Sequence, residues 1–128
     1  MGERDIPAVG TVAWADLTVD DADGLREFYA AVTGWRPEPV NMGGYVDFNM
    51  CRPGDGAPAA GVCHARGVNA NLPPQWLIYV VVADLDASLA VVRKHGGEVL
   101  AEPSVPEGER YAVVRDPAGA ALALYQVG

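Results

Sequence analysis

The segment "LTVDDADGLREFYAAVTGW" (residues 17–35) contains the end of a strand, a complete helix and the residue that stops it. Residues 11–19 alternate between apolar and other side chains, as a half-buried strand does. Asp20 and Asp21 then supply the carboxylates that begin a helix, and Gly34 stands where a helix ends in the left-handed conformation. Between them, apolar side chains recur at helical spacing: Leu25, Phe28 and Val32, with Tyr29 beside them.

The same layout returns in the second half of the chain. The stretch "WLIYVVVADLDASLAVVRKHGG" (residues 76–97) reads as strand, Asp cap, helix and glycine stop, with a buried stripe of Leu85, Leu89 and Val92. One offset of 63 residues relates three landmarks: Val19 to Val82, Asp21 to Asp84, and Gly34 to Gly97. A single offset for strand end, helix cap and helix stop indicates a duplicated βαβββ unit.

The predicted fold class is therefore α+β, with two βαβββ modules in one chain forming curved mixed sheets around an open cleft. Module one covers about residues 11–65, the linker about 66–75, and module two about 76–126. The remaining strands are predicted at "GYVDFNM", "AAGVCHA", "EVLAEP", "RYAVVR" and "AALALYQ", with "RDPAGA" as a tight turn. Pro37 and Pro39 are expected to interrupt any regular secondary structure that follows the first helix.

Composition limits the classes of function. The chain has 128 residues, half of them hydrophobic, and a net charge of −8, so we expect one globular domain that neither nucleic acid nor anionic membrane attracts. The first ten residues lack the apolar run of a signal peptide, which favours a cytoplasmic protein. Cys51 and Cys63 are then expected to be free thiols.

The two faces of the first strand differ in character. Ala15, Leu17 and Val19 share a small apolar face, whereas Trp14, Asp16 and Thr18 share the other. Each helix can cover only one face of its short sheet. Two modules placed edge to edge would leave the uncovered faces lining a shared cleft. We expect Trp14, Asp16 and Thr18 to face this cleft.

The segments "LTVDDADGLREFYAAVTGW", "YVVVADLDASLAVVRKHGGEV" and "RDPAGAALAL" resemble the vicinal oxygen chelate superfamily. This group includes glyoxalases, bleomycin-resistance proteins and extradiol dioxygenases. The resemblance covers nearly the whole chain and implies the fold and a homodimer. It says little about the reaction, because one fold hosts many chemistries.

The resemblance also implies where a metal would be held. Metal-dependent members usually carry His, Gln or Glu seven residues before each capping Asp, and Glu four residues after the glycine of the Asp-Pro-x-Gly turn. Those positions here are Trp14, Leu77 and Ala123, none of which binds a divalent metal through its side chain. His64 and Cys63 lie near the fourth position. We therefore expect neither a metal nor another cofactor.

Several side chains are candidates for binding a ligand. Trp14 and Tyr79 would stack on it, although either ring could serve only for packing. Asp16 would contact the ligand or act in acid–base chemistry, or it would make a structural hydrogen bond or lie exposed at an open mouth. The other candidates are polar groups and walls of the cleft: Tyr45, Asp47, Asn49, His64 and Tyr125. Trp35 is expected in the core or an interface, and Trp76 at a cleft rim or in a dimer contact.

These features favour a metal-independent small-molecule-binding protein of the bleomycin-resistance type, which sequesters an aromatic or polycyclic natural product. The alternative is an enzyme. It would be a lyase, isomerase or cyclase with Asp16 as general base, assisted by His64 or Asp47, or a metalloenzyme with displaced ligands. A third alternative is a dimerisation module with an empty cleft.

Overall fold

The computed structural model describes residues 7–102 and 110–127. The first half of the chain forms β1 (Val12–Val19), α1 (Ala22–Thr33), β2 (Arg36–Asn41), β3 (Val46–Cys51) and β4 (Pro58–His64), followed by a short 3-10 turn at Gly67–Asn69. The second half forms β5 (Trp76–Val81), α2 (Leu85–Lys94), β6 (Glu98–Ala101), β7 (Arg110–Arg115) and β8 (Ala121–Gln126). The βαβββ order occurs twice, so the predicted fold class is confirmed. Residue 103 of the predicted "EVLAEP" strand lies outside the described residues.

The contacts divide the chain into two compact units. The first unit is Trp14–Trp76, and the second joins residues 77–127 to residues 7–13. In the first unit the strand order is β2-β3-β4-β1, and in the second it is β6-β7-β8-β5. In both, the strand before the helix pairs in parallel with the last strand of the module, and the other neighbours are antiparallel. Corresponding strands thus hold corresponding positions.

The helix caps follow the predicted chemistry, with one correction at a helix end. The Asp21 carboxylate accepts a hydrogen bond from the Gly24 amide at 2.9 Å, and that of Asp84 accepts one from the Ala87 amide at 3.1 Å. Gly34 has the expected left-handed conformation, with φ of 81°.

The second helix stops differently. Gly96, not Gly97, takes the left-handed conformation there, with φ of 88°. A Cβ atom on Gly97 would lie 2.8 Å from the Arg115 carbonyl oxygen, so its glycine is required by close packing. At the ends of the helices, the offset between the modules is therefore 62 rather than 63 residues.

The strand β2 was missed by the sequence reasoning. Pro37 and Pro39 pair with Met50 and Phe48 of β3, and β2 is the edge strand of its unit's sheet. Because the two prolines are separated by one residue, their nitrogen atoms point the same way. An edge strand tolerates prolines on its open side, where no ladder hydrogen bond is made. The prediction that these prolines interrupt secondary structure after α1 was wrong.

The core of the first unit lies between α1 and its sheet. Ala22, Phe48, Met50 and Val62 are buried there, with Leu25 and Tyr29 of α1 packed against them. Phe28 and Val32 instead lie 56% and 64% exposed, although they share the helical spacing. The face of α1 that meets the sheet runs through Ala22, Leu25 and Tyr29.

The core of the second unit follows the prediction more closely. Leu85 and Leu89 of α2 are buried, and Val92 packs against them. Ala112, Val114 and Leu124 supply the sheet side of this core. Neither helix in the described part of the chain is long and apolar enough to cross a membrane.

Trp35 and Trp76 both pack on the core of the first unit. The Trp76 ring centroid lies 5.2 Å from that of Tyr29 and 5.9 Å from that of Trp35. The Trp76 Nε1–H group donates a hydrogen bond to the Tyr29 hydroxyl at 3.1 Å. Trp76 is thus partly buried against the core of its own unit, through contacts with residues that are distant in sequence. A dimer contact at Trp76 stays a prediction.

Candidate functional site

The two faces of β1 separate as the alternation predicts. Val19 packs on the core beneath α1, and Leu17 is buried with it by strand parity. The opposite face of the first-unit sheet, here called the polar face, carries Trp14, Asp16, Thr18, Asp47, Asn49, Gly61 and Cys63. The register brings them together: Asp16 pairs with Gly61, Gly61 with Asn49, and Thr18 with Cys63.

Trp14 and Asp16 are joined directly. The Trp14 Nε1–H group donates to Asp16 Oδ1 at 2.5 Å, and both side chains are partly buried. The carboxylate lies over Gly61 on the neighbouring strand, where a Cβ atom would collide with Asp16 Oδ1. The absence of a side chain at Gly61 therefore makes room for Asp16. This glycine was not identified as part of the site, because its role depends on the register between two strands.

Asp47 and Cys63 form the second polar group of this face. Asp47 is only 8% exposed, and its Oδ1 accepts a hydrogen bond from the His64 backbone amide at 2.8 Å. The Cys63 thiol also donates to Asp47. Burial raises the pKa of Cys63 well above its ordinary value, and the charges of Asp16 and Asp47 raise it further. Both carboxylates therefore affect the pKa of the same thiol, that of Cys63. Cys63 was not among the site residues predicted from the sequence.

His64 and Tyr45 lie at the end of the strands near α1. The Nδ1 atom of His64 is 3.3 Å from Asp47 Oδ1, and its Nε2 atom is 3.9 Å from Asp23 Oδ2. The Tyr45 ring contacts that of His64 at 6.0 Å and lies under the Arg66 guanidinium at 4.1 Å. Asp47 thus connects this group to the polar face.

Tyr79 and Tyr125 belong to the second unit. The Tyr79 ring lies 5.8 Å from that of Tyr111, and Tyr111 pairs with Tyr125 across β7 and β8. Ala112, Leu124 and Val80 face the α2 core. Their neighbours Tyr111, Tyr125 and Tyr79 therefore lie on the opposite face of the sheet. Tyr111 was missed as a candidate. The alternation of "RYAVVR" was the available signal, since it places Tyr111 and Val113 on one face.

The positions at which the superfamily holds a metal do not fit one here. Trp14 donates its indole N–H to Asp16, and Leu77 and Ala123 are fully buried apolar residues. Within residues 7–102 and 110–127, no group of three or more His, Cys, Asp or Glu side chains is arranged to hold a metal ion. The side chains at these three positions therefore supply no metal ligands.

Comparison with known proteins agrees with this fold. The family model of the glyoxalase-like domain matches residues 14–125. The chain belongs to this family, and through it to the vicinal oxygen chelate superfamily. The "Putative glyoxylase CFP32" of Mycobacterium tuberculosis is 33% identical over 129 residues, covering 98% of this chain and 49% of that protein. The anthracycline biosynthesis protein DnrV of Streptomyces peucetius is 33% identical over 119 residues, covering 92% of this chain and 42% of DnrV.

The chain therefore spans about half the length of the curated relatives it matches. Among solved structures, methylmalonyl-CoA epimerase of Streptomyces coelicolor aligns with a TM-score of 0.54 and 21% identity, covering 94% of this chain and 99% of the epimerase. A glyoxalase/bleomycin resistance protein/dioxygenase superfamily member from Vibrio splendidus aligns with a TM-score of 0.53 and 14% identity, covering 88% and 96%. At these identities the structural likeness shows the fold alone.

Proposed function

We propose that this protein binds an aromatic or polycyclic small molecule on the polar face of the first unit, without a metal. The observation that carries the proposal is the Trp14–Asp16 pair. It stands where the metal-dependent members place a metal ligand, and it offers an aromatic ring and a carboxylate instead.

The hydrogen bond to Asp16 prepares Trp14 for stacking. A side chain already held in one orientation loses less conformational freedom when a ligand binds. Stacking between aromatic rings contributes about 0.5–1.5 kcal/mol beyond the burial of their surface. The indole thus provides a fixed platform for a flat ligand.

The neighbouring polar side chains would orient such a ligand. Asp47 and Asn49 lie on β3, and Thr18 and Asp16 lie on β1, on the same face. Carboxylate and amide oxygens accept hydrogen bonds, so they suit a ligand that carries hydroxyl or amino groups. An aromatic ring beside a few placed polar groups is a combination found in small-molecule sites.

The relatives named for anthracycline biosynthesis support a polycyclic ligand. Anthracyclines contain fused, flat rings with hydroxyl groups, which match an indole platform surrounded by acceptors. Because this chain covers 42% of those proteins, only the class of ligand is proposed to be shared.

Calorimetric titration with daunorubicin, an anthracycline, tests the proposal. We expect saturable binding that EDTA does not alter, and weaker binding by Trp14→Leu. The control is Trp76→Phe, which removes an indole from the core of the same unit and should keep the affinity of the native protein, with folding checked by circular dichroism. Failure of daunorubicin and other polycyclic quinones to bind, or loss of binding with EDTA, would contradict the proposal.

An enzyme that uses Asp16 as general base remains the second candidate. It is favoured by the partly buried Asp16 carboxylate, which the hydrogen bond from Trp14 holds in one position, as a general base requires. Asp16→Asn separates the two candidates: a binding protein loses affinity modestly, whereas a lyase, isomerase or cyclase loses most of its rate. A cytoplasmic location and a homodimer stay predictions, and sedimentation velocity tests the latter.

A further inference from the structure

We propose that the second unit contains a separate site for a neutral aromatic molecule of one or two rings. A cavity of about 260 Å³ lies between the C-terminal half of α2 and the β7–β8 hairpin. Its apolar lining is formed by Val91, Val92, Gly97, Val114, Leu122 and Leu124. It adjoins a shallower groove along α2 that shares Val91, Val92 and Leu124.

The duplication identifies the residues that correspond to this lining in the first unit. Phe48 pairs with Val62 in the first sheet, and Ala112 pairs with Leu124 in the second. Val62 and Leu124 hold the same place in their modules, so Phe48 corresponds to Ala112. Two residues further along these strands, Met50 corresponds to Val114.

The helices give the next two correspondences. The Asp21 and Asp84 caps align α1 with α2, so that Tyr29 corresponds to Val92. Gly34 and Gly96 are the left-handed glycines that follow the two helices.

Each of these glycines also lies beside a proline. A Cβ atom on Gly34 would lie 4.0 Å from the Pro53 ring, and one on Gly96 would lie 3.9 Å from the Pro117 ring. The residues that follow the two glycines therefore correspond as well, and Trp35 matches Gly97.

Three side chains that pack at this place in the first unit are larger than their counterparts around the cavity. Tyr29, Met50 and Trp35 have become Val92, Val114 and Gly97, and all three smaller residues line the cavity. In the first unit the Trp76 indole also packs against the Tyr29 and Trp35 rings. The group that suits this position of the fold is accordingly an aromatic ring.

The charged groups around the cavity indicate a neutral occupant. The Arg115 Nη1–H group donates to Glu98 Oε1 at 3.1 Å. The Asp116 Oδ1 atom accepts from the amides of Ala118 at 2.8 Å and Ala120 at 3.0 Å. His95 lies exposed at the rim and can make one hydrogen bond to a heteroatom of the ligand.

The scarcity of exposed apolar side chains around the cavity favours a small molecule over a protein. Among the large apolar side chains exposed in the described chain, only Val91 borders the cavity. A stable protein interface needs roughly 1,000 Å² of buried surface with an apolar centre. An apolar cavity of about 150 Å³ suffices for benzene, so this one has room for two fused rings.

Fluorine NMR with 5-fluoroindole tests the proposal on the whole protein. We expect the ligand signal to broaden and shift saturably with the native chain. Val92→Tyr restores the side chain of the first unit and should weaken binding by at least about tenfold. Val114→Met is a second filling variant, and Ala90→Tyr, on the exposed side of α2, is the matched control that should bind as the native protein does.

The outcomes separate this site from the polar face. Daunorubicin binding should persist in Val92→Tyr, so either proposal can fail without the other. Absence of 5-fluoroindole binding to the native protein, or equal binding by both filling variants, overturns the proposal. Binding of a tryptophan-containing peptide but not of the free indole would also overturn it, because the occupant would then be a protein.

Discussion

The indole nitrogen of Trp14 and the carboxylate of Asp16 lie 2.5 Å apart on one face of β1, directly over Gly61 of β4. The two residues are next neighbours on that face, so alternation alone brings them close. The close approach of the carboxylate to the adjacent strand exists only because Gly61 has no Cβ atom. Substitution at Gly61 therefore tests the geometry of the site.

Gly61→Ala should lower the free energy of unfolding by about 1–3 kcal/mol, because the added methyl group would overlap the Asp16 carboxylate. Urea denaturation measures the change. Combined with Asp16→Ala, the substitution should cost much less, which a double-mutant cycle detects. Gly54→Ala is the control, since a Cβ atom there meets nothing within 4 Å. Equal effects of the two alanine substitutions would contradict the prediction.

Tyr29→Phe should destabilise the protein by about 0.5–1.5 kcal/mol, because the half-buried Trp76 N–H group loses its acceptor. Tryptophan fluorescence during thermal unfolding reports the change. Tyr45→Phe is matched to it, because the contacts of Tyr45 with His64 and Arg66 are made by its ring and are retained. If both variants unfold at the same temperature, the Tyr29–Trp76 hydrogen bond contributes nothing.

Cys63 should react with iodoacetamide more slowly than an ordinary thiol near pH 8. The raised pKa of Cys63 leaves less of the nucleophilic thiolate at this pH. The labelling rate of Cys63 should therefore still rise with pH in the range where the rate of a free thiol no longer changes. Peptide mass spectrometry follows the labelling of Cys63 separately from Cys51.

Asp16→Asn should accelerate this labelling, because it removes one of the charges that raise the pKa. The rate should stay below that of a free thiol, since burial is the larger cause. Asp20→Asn, at an exposed carboxylate, should leave the rate unchanged. Faster labelling of the native protein than of a free thiol would contradict the assignment.

The pKa of the Asp86 carboxyl should lie below its ordinary value. Hydrogen bonds from the Arg110 guanidinium, at 2.9 and 3.2 Å, are the main cause, and the charge of Arg110 adds to them. The stabilisation is then present above the pKa of the unfolded chain and is lost as the pH falls through the lower folded pKa. Carboxyl NMR titration measures it. Arg110→Gln should return the pKa toward its ordinary value, whereas Arg93→Gln, elsewhere on α2, should not.

Much of the fold could be read from local sequence. Asp21 and Asp84 begin helices, Gly34 ends one, and the "RDPAGA" turn forms with the Asp116 amide bonded to the Ala120 carbonyl at 2.8 Å. These features depend on residues within one or two turns of each other. That Trp14, Leu77 and Ala123 stand at the positions where metal-dependent members of the superfamily usually carry ligands was also evident, because it depends on the identity of the residues alone.

The sequence was less informative where a distant segment decides the outcome. Helical spacing could not show that Tyr29 rather than Phe28 meets the sheet, because they follow Leu25 by four and three residues and so flank it on either side. The strand with Pro37 and Pro39 forms only because β3 offers it an edge. Trp76 packs on α1 because the chain returns to that helix after three strands.

By itself, the sequence determined the two helices with their aspartate N-caps, most of the strands, and the identity of Trp14, Leu77 and Ala123 as residues whose side chains bind no metal. Only the tertiary structure decided that Gly61 admits the Asp16 carboxylate, that Asp47 joins Cys63 to His64, and that Val92, Val114 and Gly97 leave a cavity. Spacing along the chain specifies local conformation, whereas close approach and empty volume depend on which strands become neighbours and in what register.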